Sequence, residues 1–200
     1  FIFRKHTFEK FNIKKIFLKN KSLNNYFLIN KKTKGMAETI LLSKNKIPYK
    51  RPIIVSSCDI SFTINYKKFY NILKKKPDGI IFTWRNYPFA DESPNSHAYV
   101  KVKNGIVTSI SEKKTISNRP NNDFAVTGIF YFKNSELLIN CIKHMMKNKI
   151  TVNNEYYIAT SMNKILKDNL TIYNFEVDQF ISWSLPEHLK MYNHWEKIFK

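Results

Sequence analysis

Asp59 ends the apolar run Pro52-Ile53-Ile54-Val55-Ser56-Ser57-Cys58. Hydrophobic residues that shrink to serine and then deliver a carboxylate describe a strand whose carboxyl end carries a functional acid, which is where open α/β sheets bind ligands. A carboxylate there is a hard oxygen donor of the kind Mg²⁺ takes, together with phosphate oxygens and water. Aspartate also caps helices well, so a purely local role is the alternative. Cys58 has no cysteine or histidine at metal-ligand spacing and is read as a small apolar filler.

Four other places hold residues that can do chemistry. Thr33-Lys34-Gly35-Met36-Ala37-Glu38-Thr39 is a glycine turn running into Ile40-Leu41-Leu42. Thr33, Gly35 and Thr39 there can hold a nucleotide near a helix N-terminus, with Glu38 on base or ribose; an ordinary capped helix is the alternative. Glu112-Lys113 follows an expected hairpin. Lysine meets phosphate as a point charge and glutamate accepts from hydroxyls, although a solvated charged turn reads the same, and Lys114 competes for the phosphate. Asn154 and Glu155 stand at an expected helix start. Asn154 suits an N-cap, and Glu155 is either a first-turn acid favoured by the dipole or a substrate-hydroxyl acceptor. Gly128, inside a strand pattern, marks close approach by a ligand or by another backbone. His6, His97, His144, His188 and His194 show no metal-ligand spacing and are assigned to structure or surface.

The elements that must position these residues alternate. Strands are expected at 1–4, 26–29, 52–58, 79–84, 97–102, 106–111, 125–132 and 170–176, and helices at 5–20, 37–44, 66–75, 135–147, 154–166 and 186–199. Asn104-Gly105 is a strong hairpin signal, Pro77-Asp78-Gly79 a strong turn, Ser135 a suitable N-cap, and Pro186 a suitable first helical residue. The pattern predicts an α/β fold: a Rossmann-like, largely parallel sheet flanked by helices, with an inserted β-hairpin, in one domain over residues 1–200.

The bulk numbers narrow the classes. A content of 43% hydrophobic and 24% charged residues suits a globular core, and there is no apolar run long enough for a membrane span. Cys58 and Cys141 are the only cysteines, which is no disulfide framework and fits a reducing, cytoplasmic compartment. The net charge of +19 invites a nucleic-acid reading. That charge is mostly lysine: the arginines are Arg4, Arg51, Arg85 and Arg119, and no arginine cluster or basic/aromatic repeat appears. The charge is therefore read as solvated surface that also attracts nucleotides and sugar phosphates.

Taken in order, these motifs resemble the sugar-phosphate nucleotidyltransferases, which include nucleotide-sugar pyrophosphorylases and cytidylyltransferases. The resemblance runs from Thr33 to Leu189. Thr33–Thr39 is similar to the family's nucleotide-contacting turn, and Pro52–Asp59 to the strand ending in its Mg²⁺-binding aspartate. Ser111-Glu112-Lys113-Lys114 is similar to its Glu-Lys motif for sugar and phosphate, followed by the strand Ala125–Phe132. Val152–Tyr157 is similar to its acidic substrate segment, and Trp183–Leu189 to its closing stretch. The resemblance implies transfer of a nucleotidyl group from an NTP to a sugar phosphate or similar small phosphate, with Mg²⁺ and release of pyrophosphate. It further implies supply of nucleotide sugars for surface polysaccharide. Two departures stand out. The family's Gly-rich phosphate loop is missing and is expected upstream of Phe1, and the position of a second metal-binding aspartate is Ser182. Alternatives of other classes are an inactive nucleotide- or sugar-phosphate-binding module of the same fold and a basic nucleic-acid-binding protein.

Overall fold

The computed structural model describes residues 1–19, 25–86 and 93–199. The chain runs β1 (Ile2–Arg4), α1 (Lys5–Lys10), α2 (Ile13–Lys19), β2 (Phe27–Ile29), α3 (Met36–Leu42), β3 (Ile53–Ser56), β4 (Ile60–Thr63), α4 (Tyr66–Leu73) and β5 (Gly79–Trp84). It continues through the hairpin β6 (Ala98–Lys103) and β7 (Ile106–Glu112), then β8 (Phe124–Phe132), α5 (Ser135–Lys147), α6 (Ile158–Lys167), β9 (Ile172–Glu176), β10 (Gln179–Ser182) and α7 (Pro186–Phe199).

The α/β class holds, but the expected largely parallel Rossmann-like sheet is a mixed one. Its described order is β3-β8-β5-β9-β7-β6, and β6 also pairs with β8, so the sheet curls back on itself. Within it only β5 and β9 run parallel, Gly79 facing Ile172. The reason is β8: a single long strand runs antiparallel to β3, β5 and β6. The Asn104-Gly105 hairpin adds the antiparallel β6–β7 pair. The parallel β1–β2 pair joins no other strand among the described residues.

β5 shows why the sheet sits where it does. Its residues alternate between two cores, as a period of two requires. Ile81 packs with Ala37 and Ile40 of α3, Leu138 and Ile142 of α5, and Met162 and Ile165 of α6. Ile80 and Phe82 point the other way, to Ile129, Phe175 and the α4 residues Phe69, Ile72 and Leu73. Each such fully buried side chain stabilises the fold by about 1.5–3 kcal/mol relative to exposure.

Several expectations are corrected locally. The single helix expected over 5–20 is two, broken at Asn12 with φ 48°. The helix expected from Asn154 starts at Ile158, because Asn153 and Asn154 both take positive φ in a turn closed by reciprocal Val152–Glu155 backbone hydrogen bonds of 3.1 and 2.9 Å. Asn134, not Ser135, caps α5 by accepting from Leu137 N–H at 2.8 Å, while Ser135 donates to the Pro48 carbonyl. Cys58 is exposed rather than packed; buried Cys141 is the apolar one. Among the described residues no helix is long and apolar enough to cross a membrane.

Candidate active site

The strand β3 does deliver Asp59 to a cavity, and two close backbone approaches fix where. Past β3, Ser57 N–H donates to the Gly128 carbonyl at 3.0 Å. Gly128 has φ 92°, and a Cβ there would stand 3.0 Å from Ser57 Oγ and 3.2 Å from Ser57 Cβ. Ser57 thus approaches Gly128 with both its backbone N–H and its side chain, and Gly128 also lines the cavity. Next, β4 pairs antiparallel with β10, Ile60 facing Ser182, and Trp183 N–H donates to the Asp59 carbonyl at 2.8 Å. Neither strand was expected from sequence, and together they bring Asp59 and Ser182 to the same cavity.

The cavity, of about 670 Å³, gathers Gly35, Asp59, Glu112, Lys113, Gly128 and Glu155 from widely separated segments. It does not gather Thr33, Glu38, Thr39 or Asn154. Three of these spend their polar atoms on the Gly35 turn itself. Glu38 accepts from Lys34 N–H at 2.6 Å and from Lys31 Nζ at 3.0 Å, and these bonds hold its carboxyl below the usual range. The Thr33 and Thr39 hydroxyls meet at 2.7 Å, and Thr39 also donates to the Gly35 carbonyl. Asn154 is exposed on its turn.

Gly35 is a glycine because of the backbone that crosses it. Its φ is 99°, and a Cβ would lie 2.8 Å from the Tyr156 carbonyl oxygen. Tyr156 N–H donates to the Lys34 carbonyl at 2.8 Å, and Ala37 N–H donates to Tyr156 O at 3.3 Å. These bonds tie the turn to the segment that carries Glu155 and Tyr157 into the cavity.

At the other end, β7 finishes on Glu112, paired with Ala98 of β6. Lys113 takes φ 55°, donates its backbone N–H to the His97 carbonyl at 3.1 Å and its ammonium to the Ser96 carbonyl, and stands 5.4 Å above the Tyr157 ring. Burial pushes the Glu112 carboxyl up to about 7, against the pull of Lys113 and Thr160. Burial, helped by Lys113 and His188, pushes His97 down to about 4. Burial also raises the Tyr157 phenol, with Glu155 and Glu112 adding to it. His97, His188, Tyr157, Ser57 and Ser96 are cavity residues that sequence reasoning did not single out for a site. Spacing rules look for ligands close in sequence, and these meet only through the sheet.

Among the described residues no three or more His, Cys, Asp or Glu side chains converge as a metal cage. Asp59 is a hard oxygen donor that fits Mg²⁺ drawing its remaining ligands from phosphate oxygens and water, while the Ser182 hydroxyl in the same cavity is bonded to the Ser184 hydroxyl at 2.7 Å. The cavity thus brings the carboxylates of Asp59, Glu112 and Glu155 together with Lys113. The family model for nucleotidyl transferases matches residues 1–184. The chain belongs to the nucleotidyl transferase family. No curated protein is similar enough to count as a match.

Solved nucleotidyl transferase structures share the fold. A nucleoside-diphosphate-sugar pyrophosphorylase from Vibrio cholerae RC9 aligns with TM-score 0.74 at 18% identity, over 95% of this chain and 78% of that one. A UDP-glucose pyrophosphorylase complexed with UDP-glucose aligns with TM-score 0.65 at 16% identity, over 96% and 73%. The inositol-1-phosphate CTP transferase from T. maritima aligns with TM-score 0.61 at 14% identity, over 91% and 70%.

Proposed function

We propose that this protein is a Mg²⁺-dependent nucleotidyltransferase that joins an NTP to a sugar phosphate or similar small phosphate and releases pyrophosphate. The observation that carries the reading is the single cavity shared by Asp59 and by the Glu112–Lys113–Glu155 group. In the reaction an oxygen of the acceptor phosphate bonds to the α-phosphorus of the NTP. The bond from that phosphorus to the bridging oxygen breaks, and pyrophosphate leaves with the electron pair. Little covalent chemistry falls to the protein, so its contribution is positioning and charge neutralisation.

Mg²⁺, when bound, supplies positive charge against the phosphates. Asp59 would hold it. Lys113 meets the acceptor phosphate, while Glu112 and Glu155 accept from acceptor hydroxyls. The Gly35 turn and Gly128 border the cavity by backbone rather than by reaching side chains. A reaction that consumes NTP and yields nucleotide sugars belongs in the cytoplasm, at the entry to surface-polysaccharide synthesis. Mass spectrometry of products from the four NTPs crossed with hexose 1-phosphates, inositol 1-phosphate and choline phosphate tests the reading. A nucleotide ester plus equimolar pyrophosphate is the expected result, and the absence of any product across the panel would sink it.

One observation favours a second reading. Ser182 shares the cavity with Asp59 where a second carboxylate would tighten the metal, so the chain can also serve as a binding module without turnover. Calorimetric binding of NTP with no pyrophosphate release is its signature.

A further inference from the structure

Away from the cavity, the N-terminal helices concentrate positive charge and apolar surface together. Residues 1–19 carry Arg4, Lys5, Lys10, Lys14, Lys15 and Lys19 against one acid, Glu9, and all seven side chains are exposed. That is six of the 34 cationic residues but one of the 15 acids, so this stretch is more basic than the rest of the chain. The inner side of α1 and α2 is already filled. Phe3, Phe8, Phe17 and Tyr26 pack ring on ring there, Phe8 and Tyr26 with centroids 4.5 Å apart. Ile13 and Phe17, one turn apart, are the half-buried residues of α2, and Lys15 and Lys19 stand opposite them. Phe11, Ile16 and Leu18 are left over from that core, 64%, 57% and 76% exposed among the lysines. We propose that α1 and α2 form a peripheral docking surface for an anionic lipid bilayer, the lysines meeting lipid phosphates while Phe11, Ile16 and Leu18 enter the headgroup layer. Docking would hold the protein beside a membrane whatever reaction its cavity performs.

An anionic bilayer complements both halves of this surface. Each cation near such a membrane adds about five-fold to the affinity, and exposed aromatic and aliphatic side chains gain by leaving water at the acyl boundary. Lysine stems can lie along that apolar layer while their ammonium groups stay with the phosphates. Other occupants match one half only. A second copy of the same face would set a net charge of +5, six cations less one acid, against its like. Nucleic acid would take the lysines, but Ile16 and Leu18 offer neither a ring to stack on nor a hydrogen bond to a base. Neither helix can span the membrane: α1 and α2 run six and seven residues, where a crossing needs about 20. The geometry is that of helices lying on the surface.

The test is flotation of the full chain with vesicles of phosphatidylcholine, alone or with about 30% phosphatidylglycerol, at low salt and at about 0.5 M NaCl. The protein is expected to bind the anionic vesicles at least about ten-fold tighter than the neutral ones, and less tightly in high salt. Lys14→Ala, Lys15→Ala and Lys19→Ala together should weaken binding about 100-fold, three steps of about five-fold. The exposed Lys101, Lys103 and Lys143, replaced by alanine instead, remove equal charge and should cost less than about three-fold. Phe11→Ser with Leu18→Ser should weaken binding about ten-fold at unchanged charge. All these side chains are exposed, and melting curves check that the variants fold. Equal binding of wild-type protein to the two kinds of vesicle overturns the proposal, a comparison that needs no variant. Equal losses in the two lysine triples overturn it too, because net charge rather than this face would then govern binding. So does an unchanged affinity in the serine pair. A short duplex DNA that displaces the anionic vesicles and binds the serine pair as well as wild type assigns the lysines to nucleic acid instead.

Discussion

The Gly35 turn and the Glu112–Lys113 strand end are both polar segments beside one cavity, and they differ in how burial acts on their titratable groups. Around Gly35, Glu38 caps Lys34, Thr33 meets Thr39, and the backbone bonds to Tyr156. Little side-chain chemistry remains there for a ligand. At the strand end, Glu112 and His97 are pressed into surroundings that shift both away from their usual proton affinities. Groups shifted by burial in a cleft are candidates for a working site. Motif likeness pointed to both segments, while burial separates a turn that braces the cavity's edge from a strand end whose titratable groups are shifted inside it.

Breaking the contrast begins with the largest effect. Asp59→Ala is expected to lower turnover by about 10³-fold, the scale of losing a main charge-stabilising group, with an unchanged thermal midpoint. Steady-state pyrophosphate release and a melting curve check it. Lys113→Ala should weaken the acceptor phosphate by about 10–100-fold in KM, the scale of a lost charged hydrogen bond, and leave NTP affinity alone.

Gly35→Ala should act on the fold instead. The strained φ and the clash with the Tyr156 carbonyl should destabilise by about 1–3 kcal/mol in urea unfolding, and Glu155 should be displaced with it. Gly128→Ala should cost less, because the atoms it meets belong to the Ser57 side chain.

Glu112 gives a pH signature. Its folded-state pKa is raised from 4.5 to about 7, so between those values the unfolded chain releases a proton that the folded chain keeps. Stability therefore falls as pH rises from about 4.5 to about 7, and Glu112→Gln should flatten that slope. His97 works in the opposite sense: its depressed pKa makes stability fall as pH drops from about 6.5 towards 4, a slope that His97→Gln removes. In the same wild-type protein, acceptor KM should decrease through pH 7 as Glu112 ionises and becomes a better acceptor. The smallest effect belongs to the satisfied turn. Thr33→Ala and Glu38→Gln should leave NTP affinity within about two-fold, since both side chains act locally and Glu38's ion pair is solvent-screened.

What sequence made legible follows the range of the interactions. β5 has its expected bounds because an apolar run after Pro77-Asp78-Gly79 announces itself locally. The bounds of α5 and α7 were likewise legible from periodicity and proline. Strand direction was not, since β8 takes its sense from partners far along the chain. β4 and β10 were missed for the same reason: four-residue strands are held by each other and carry little periodic signal. Within the site, Asp59, Glu112, Lys113 and Glu155 were visible as motif residues. His97 and His188 were not, because only the curled sheet and the start of α7 bring them together. Thr33, Glu38 and Thr39 carried the right polarity for a ligand, but nothing local in the sequence showed that the two threonines would meet each other and that Glu38 would bond to Lys31 and Lys34.

The most direct test of the central claim is titration of NTP into wild-type protein and into Asp59→Ala, each with Mg²⁺ and with EDTA. If Asp59 holds the metal that bridges protein and NTP, Mg²⁺ should raise wild-type affinity by about ten-fold or more and leave the variant's affinity nearly unchanged. An equal Mg²⁺ effect in both proteins would contradict that role for Asp59.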